Sequence, residues 1–233
     1  MSQSSIPKSA KILTFQEYLF YQGEPDVLYE LFRGHLIPMA TPTILHVRIC
    51  QFLVYQLQRY FATHNLALVA VTTVGIRTEE NSSRIPDVVV CSQSVWEQAG
   101  NRPGLGVLDF SEVPQLVVEV VSKNWHEDYI RKRAEYALIN IPEYWIFDSK
   151  KVRIWVLTNP ESEEGYIRTE FNLKQEIRSK QFPEFVLSVE QVLSPPAIED
   201  LIREEQAERQ QLEQKSERMA AKLREMGIDP DVV

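Results

Sequence analysis

Asp87, Glu119 and Lys132 are the residues whose types and setting promise chemistry. Glu119 stands in PQLVVEVVSK, residues 114–123, an otherwise apolar run that reads as a buried strand. An ionised carboxylate there is costly to desolvate unless a base, hydrogen bonds or a metal compensate it. Asp87 opens a second apolar run in RIPDVVV, residues 84–90, and Lys132 lies in the basic helix that follows Glu119. Two carboxylates and a lysine suit metal-dependent hydrolysis. Hard divalent cations take oxygen ligands, and Mg²⁺ keeps several waters, so acids at strand ends make an open site. Such a metal would polarise a phosphodiester and lower the pKa of a bound water, while Lys132 would stabilise the transition-state charge or orient that water. Plainer roles exist for each acid: Glu119 paired with Lys132 or Arg131, and Asp87 capping a turn.

The elements that position these residues can be read in order. Thr14 stands three places before Glu17, a capping-box spacing for a short helix over TFQEYL. VLYELFRGHLIPM reads as a strand pair turning at Arg33-Gly34, with Glu30 just before the turn. In TPTILHVRICQFLVYQLQRYFATH, the apolar residues Ile44, Val47, Leu53, Val54, Leu57 and Phe61 mark a long amphipathic helix capped by Thr43. His46 falls in its first turn, as a cap or surface histidine unless it faces Glu30.

LALVAVTTVGIR, residues 66–77, reads as one long strand and TEENSS as a polar turn. Pro86 lacks an N–H, so the next strand is expected to begin at Asp87. Residues 93–114 read as a long glycine- and proline-bearing excursion, either a surface loop or part of a substrate channel. After Glu119, Ser122 or Asn124 can cap a helix running to about Asn140, on which Asp128, Lys132 and Tyr136 recur at four-residue spacing, nearly on one face. EYWIFD and KVRIWVL form a hairpin across SK, although that pair lacks the usual glycine. GYIRTEFN, EIR and EFVL read as further strands, and Ser188 stands at capping-box spacing from Gln191 in a last short helix.

This gives an α/β domain over residues 14–196, after a flexible lead-in at 1–13 and before a helical tail at 197–229. In the tail Ile198, Leu212, Met219 and Met226 recur at multiples of seven, but Glu205 breaks the row, so a short coiled coil and a solvated single helix both stand. Assembly is the role such a helix would have.

Composition sets limits. The chain carries a net charge of −8, split equally: residues 198–233 hold ten acids and six bases, leaving 23 acids and 19 bases before them. A basic nucleic-acid-coating surface is excluded, so contact with DNA would rest on local patches or on metal ions. Cys50 and Cys91 stand without a CxxC or Cys/His cluster and read as small core hydrophobes. The polar start MSQSSIPKSAK lacks an apolar leader core, and no apolar run approaches the ~20 residues of a membrane helix, so a cytoplasmic protein is expected. GxSxG, GxxxxGK[ST] and GxGxxG are absent, which argues against serine hydrolases, P-loop enzymes and dinucleotide binding.

In order, YELFRGHL, a helix with an early His46, PDVVV, LVVEVVS, a D-x-x-x-K-x-x-x-Y helix and PEYWIFD resemble a large bacterial family of endonuclease-like proteins, the Uma-two type, with a PD-(D/E)XK restriction-endonuclease-like core. The resemblance covers roughly residues 14–193 and implies a central mixed sheet flanked by helices. It implies Asp87 and Glu119 as ligands of Mg²⁺ or Mn²⁺, with Glu30 joining them directly or through water. The usual core has a lysine two residues after the second acid, where this chain has Val121. The family pattern takes lysine from the following helix, which maps to Lys132 with Asp128 and Tyr136 flanking it; Lys123 shares the strand parity of Glu119 and is the runner-up. Arg33 replaces an acid often found before the glycine, without touching a core ligand.

Three functions follow: a metal-dependent endonuclease acting on DNA, working as a homodimer to which the tail contributes; a catalytically silent nucleic-acid-binding or assembly protein on the same core; and a paired-carboxylate hydrolase of another substrate such as a glycoside.

Overall fold

The computed structural model describes residues 12–227 and 229, and the chain divides into two compact units, Met1–Pro195 and Pro196–Val233. The expected lead-in over 1–13 falls mostly outside the described residues. Leu13, within them, is buried and donates its N–H to Gly34 O at 2.8 Å.

The first unit opens with helix α1 (Phe15–Leu19), held by the reciprocal Thr14–Glu17 capping box. Strands β1 (Tyr29–Phe32) and β2 (His35–Pro38) form the hairpin that the Arg33-Gly34 pair predicts. Both turn residues have positive φ, 49° and 82°, the conformation a two-residue turn between twisted strands requires. Gly34 could not be replaced freely, because a Cβ there would press on Ile12 and come within 3.0 Å of Leu13 O.

Helix α2 (Ile44–Thr63) begins where Thr43 Oγ1 accepts the His46 N–H. Its buried face is Ile49, Cys50, Phe52, Leu53, Leu57 and Phe61, so Ile44 and Val47 of the expected stripe are exposed. The anticipated single strand at 66–77 is two: β3 (Leu68–Val71) and β4 (Gly75–Glu79) belong to different sheets. Thr73, at φ 63°, breaks the run, a conformation that β-branched residues rarely adopt. The TEENSS segment is not a solvated turn. It pairs β4 with β5 (Ser82–Arg84), and Ser82 and Ser83 are wholly buried.

Strand β6 (Val88–Ser92) starts one residue after Asp87. The segment at 93–114 is neither an open loop nor a channel wall throughout. Ser92 Oγ caps helix α3 (Gln93–Gly100), and β7 (Val107–Leu108) pairs in parallel with β4. Strand β8 (Leu116–Val120), buried at every position, is followed by a helix that begins as a π-helical segment, Glu127–Lys132, and continues as α4 (Arg133–Leu138). Neither Ser122 nor Asn124 caps the π-helical segment through its side chain.

Strands β9 (Glu143–Asp148) and β10 (Arg153–Thr158) form the expected hairpin, but its loop is residues 149–152 rather than a two-residue SK turn. Asp148 Oδ1 accepts the Lys150 and Lys151 N–H groups and so supplies the turn that glycine would otherwise favour. Then come β11 (Ile167–Asn172), β12 (Glu176–Arg178), β13 (Val186–Ser188) and α5 (Val189–Leu193), the last without a side-chain cap from Ser188.

The α/β architecture is the expected mixed one. A six-stranded sheet in the order β11-β10-β9-β8-β6-β3 pairs β8 and β9 in parallel and its other neighbours antiparallel; a five-stranded sheet runs β2-β1-β5-β4-β7, and β12-β13 stand apart. Helix α2 packs on β3, β6 and β8, while α4 packs toward β4. The second unit is helix α6 (Ile198–Glu225), 28 residues with none buried. Among the described residues no helix is long and apolar enough to cross a membrane.

Candidate functional site

Register brings the two expected acids together. Val88 pairs with Val118 across antiparallel β6 and β8, which sets Asp87 opposite Glu119 at one end of the six-stranded sheet. Asp87 Oδ2 accepts the Val120 N–H at 2.6 Å, fixing its carboxylate against the partner strand.

Lys132 comes from the π-helical segment. Its Nζ donates to Glu119 Oε1 at 2.9 Å and lies 3.1 Å from Glu30 Oε1 on β1. Tyr136, one helical turn on, donates its hydroxyl to the same Glu119 oxygen at 2.8 Å. The structure therefore brings Glu30, Glu119, Lys132 and Tyr136 into direct contact. No ion pair joins Lys132 to Asp87 among the described residues; Asp87 Oδ1 instead meets His46 Nε2 in a 2.8 Å hydrogen bond. His46 thus faces Asp87 and not Glu30. Lys123 is exposed beyond the end of β8.

Sequence reasoning missed the scaffold beneath Glu30. Arg84, only 2% exposed, donates to both Glu135 oxygens at 2.7 and 2.5 Å and to Glu30 Oε2 at 3.0 Å, and it lies 3.5 Å from Glu127. Thr78 Oγ1 completes the shell of Glu135, and Ile85 N–H that of Glu30. The Arg84–Glu135 pair spans 51 residues, so no local spacing announces it. Glu135 does sit beside Tyr136 on a helix already marked as functional, which was the available signal. Cys50, read as a core thiol, lies near the acids too: the donor atoms of His46, Cys50 and Asp87 are all within 4.8 Å of one another.

Charge here is unbalanced. Glu30, Glu119, Asp128 and Glu135 are buried and Asp87 and Glu127 half-buried, against the two buried cations Arg84 and Lys132. Burial pushes the Glu119 carboxyl well above the ordinary range; Lys132 opposes this, while Asp87, Asp128 and Glu30 add to it. Burial likewise pushes Asp128 up to about 7, against Lys132 and aided by Asp87, Glu30 and Glu127. Burial acts the same way on Glu30, but there Lys132, Arg84 and the Ile85 N–H outweigh it and the carboxyl is lowered. Lys132 stays charged: burial disfavours the ammonium, but Glu119, Glu30 and Asp128 more than restore it.

Among the described residues no hydrogen bond reaches Glu119 Oε2 or the Asp128 carboxylate. Hard oxygen donors in excess over fixed cations, two of them pushed toward protonation, are the donor set a divalent cation fits. Asp87 and Glu119, opposite each other across β6 and β8, would hold it, but the one set of three donors within 4.8 Å of one another among the described residues is His46, Cys50 and Asp87.

Comparisons with known proteins bear on this site. A family model described as "Uma2: Putative restriction endonuclease" matches residues 15–190. Among solved structures the chain is similar to a "putative nuclease belonging to DUF820" from Anabaena variabilis, with 18% identity, a TM-score of 0.63 and coverage of 78% of this chain and 98% of that one. That likeness is one of fold. No curated protein matches.

Replacing Arg84 by alanine strands Glu30 and Glu135 in the interior, and the expected loss of unfolding free energy in urea is about 3–5 kcal/mol. A loss below about 1 kcal/mol would mean that the network contributes no more than a surface pair. Asp128 gives a pH signature in chelated protein. Its carboxyl is raised from 3.8 to about 7 on folding, so between those values the native state holds a proton that the unfolded chain has lost. Its contribution therefore lowers stability as pH climbs from about 4 to about 7. Asp128→Asn should flatten that slope in denaturation curves taken across this range; equal slopes in the two proteins would contradict the assignment.

Proposed function

The chain belongs to the Uma2 family of restriction-endonuclease-like proteins, and from that premise we propose a divalent-cation-dependent endonuclease that hydrolyses DNA phosphodiester bonds. Its catalytic residues in this reading are Asp87, Glu119 and Lys132. The observation that carries it is Lys132 Nζ held at 2.9 Å from Glu119 and 3.1 Å from Glu30, beside the Asp87–Glu119 pair.

Asp87 and Glu119 are the ligands, with Mg²⁺ or Mn²⁺ as cofactor and Glu30 and Asp128 supporting. A bound cation would supply Lewis acidity to the scissile phosphate and lower the pKa of water. Glu119 Oε1 is tied to Lys132 and Tyr136, which restrains rotation of the carboxylate, and Oε2 would be its atom left for a cation. Lys132, kept cationic by its acids, meets the charge that builds on the phosphate oxygens. The Val120 N–H and His46 orient Asp87 in the same way. The metal ligand and the charge stabiliser are both pre-set, which lowers reorganisation during the reaction.

Contact with DNA has local support despite the net acidic chain. The parallel β8–β9 register puts the loop 149–152 at the same sheet end as the acids. There Lys151 Nζ lies 5.1 Å from the rings of both Trp125 and Tyr129, and exposed Trp125 stacks on His126. Exposed lysine with a stacking indole suits phosphates and unpaired bases. Helix α6, with exposed Leu212, Met219 and Met226, serves assembly into a cytoplasmic homodimer in this proposal.

On supercoiled plasmid with Mn²⁺, wild type should nick and linearise, while Asp87→Ala, Glu119→Gln and Lys132→Gln should each fall by at least about 100-fold. Equal cleavage by wild type and Glu119→Gln would overturn the site. DNA binding without cleavage under every divalent cation would favour a silent binding protein on this fold. Light scattering of the full chain should give twice the monomer mass, and a monomer mass at micromolar concentration removes the dimer.

A further inference from the structure

The first two turns of α2 bring a different donor set to Asp87. His46 and Cys50 are spaced i, i+4, so they share a helix face, and the Thr43 cap fixes where that face begins. His46 Nε2 is 2.8 Å from Asp87 Oδ1, and with Cys50 Sγ the three ligand atoms are within 4.8 Å of one another. Metal–ligand bonds of about 2.0–2.3 Å place tetrahedral ligand atoms about 3.3–3.8 Å apart. The triangle therefore closes on one ion after a movement of roughly an ångström. The pieces are anchored for it. The Val120 N–H holds Asp87 Oδ2 and leaves Oδ1 to exchange the imidazole for a cation.

We propose that His46 Nε2, Cys50 Sγ and Asp87 Oδ1 form a second cation seat, selective for a zinc-class transition metal and sharing Asp87 with the hard-cation site. The donor chemistry separates the two. Nitrogen, thiolate sulfur and one carboxylate oxygen suit Zn²⁺ or Co²⁺, whereas Mg²⁺ avoids sulfur and wants oxygen ligands such as Asp87 and Glu119. On entry the Cys50 S–H bond breaks, its proton passes to water and a metal–sulfur bond forms; the Nε2 hydrogen that His46 shares with Asp87 also passes to water, the imidazole takes up a proton at Nδ1, and Nε2 gives its lone pair. Three protein ligands leave a fourth position for water or an incoming phosphate oxygen, the pattern of open zinc sites. The plainer arrangement, a histidine that only orients Asp87 beside an inert core thiol, makes the opposite prediction about sulfur.

Cobalt reads the sulfur directly. Full-length protein stripped with chelator and titrated with Co²⁺ should develop a near-ultraviolet sulfur-to-cobalt charge-transfer band that saturates near one equivalent and is bleached by Zn²⁺. Cys91→Ser should keep the band, Cys50→Ser should lose it, and His46→Gln should weaken cobalt binding about 10–100-fold. If Cys50→Ser does not fold, alkylation of native protein followed by peptide mapping replaces it: cobalt should protect Cys50 and leave Cys91 unaffected. No charge-transfer band in folded wild type, or a band unchanged in Cys50→Ser, overturns the seat. This outcome is separate from the nuclease reading, since the spectrum needs no cleavage, and plasmid cleavage with Mn²⁺ needs no thiolate.

Discussion

One ammonium group ties the domain together. Lys132 Nζ lies between Glu30, on the five-stranded sheet, and Glu119, on the six-stranded sheet, and its own backbone belongs to the helix that follows Glu119. Three elements, of which β1 is distant in sequence from the other two, meet at one buried charge. Each partner alone would be a buried ion in the wrong medium, and together they are tolerated because every member has a counter-charge or hydrogen bond. Arg84 repeats the device a layer further in, gripping Glu135 with two nitrogens and Glu30 with a third.

In the proposed reading, that arrangement would let an acidic chain hold a phosphate-directed site. Carboxylates outnumber the fixed cations among these buried groups, an excess that a bound cation would offset. Positive charge reaches the surface near this end of the sheet locally, as where Lys151 lies over Trp125 and Tyr129. Affinity for nucleic acid would then come from a few contacts and from the ion, and specificity of position from geometry.

Much of this was legible in residue order, for physical reasons. The Arg33-Gly34 turn, the Thr43-capped helix and the apolar runs around Asp87 and Glu119 each carry a local rule that no later packing overrode. The four-residue spacing of Lys132 and Tyr136 set them nearly on one helix face, and both meet the same Glu119 oxygen. What escaped reading lacked a local sign. Thr73 adopts its left-handed conformation within a β-branched run that pattern alone reads as continuous strand. Arg84 stood out only as the first residue of RIPDVVV, because its partner is 51 residues away. Helix α3 had its signal in Ser92, but the glycines and prolines after it masked the helix as a loop. Cys50 looked apolar because cysteine on a buried helix face usually is, and only the third dimension puts it beside Asp87.

The π-helical segment Glu127–Lys132 carries a consequence for how such a chain can change over generations. A π turn accommodates an extra residue compared with an α turn, so losing one residue there relaxes the segment to ordinary helix. Every side chain on one side of the deletion would then swing by about 100° relative to the other, since each α-helical residue turns through that angle. Lys132 would leave Glu119 while the sheet and core stayed intact. Substitutions around the segment can accumulate, but its length cannot drift. Residue count across this six-residue segment is what keeps the lysine in reach, and a lineage that dropped one residue would retain the fold without its buried ammonium.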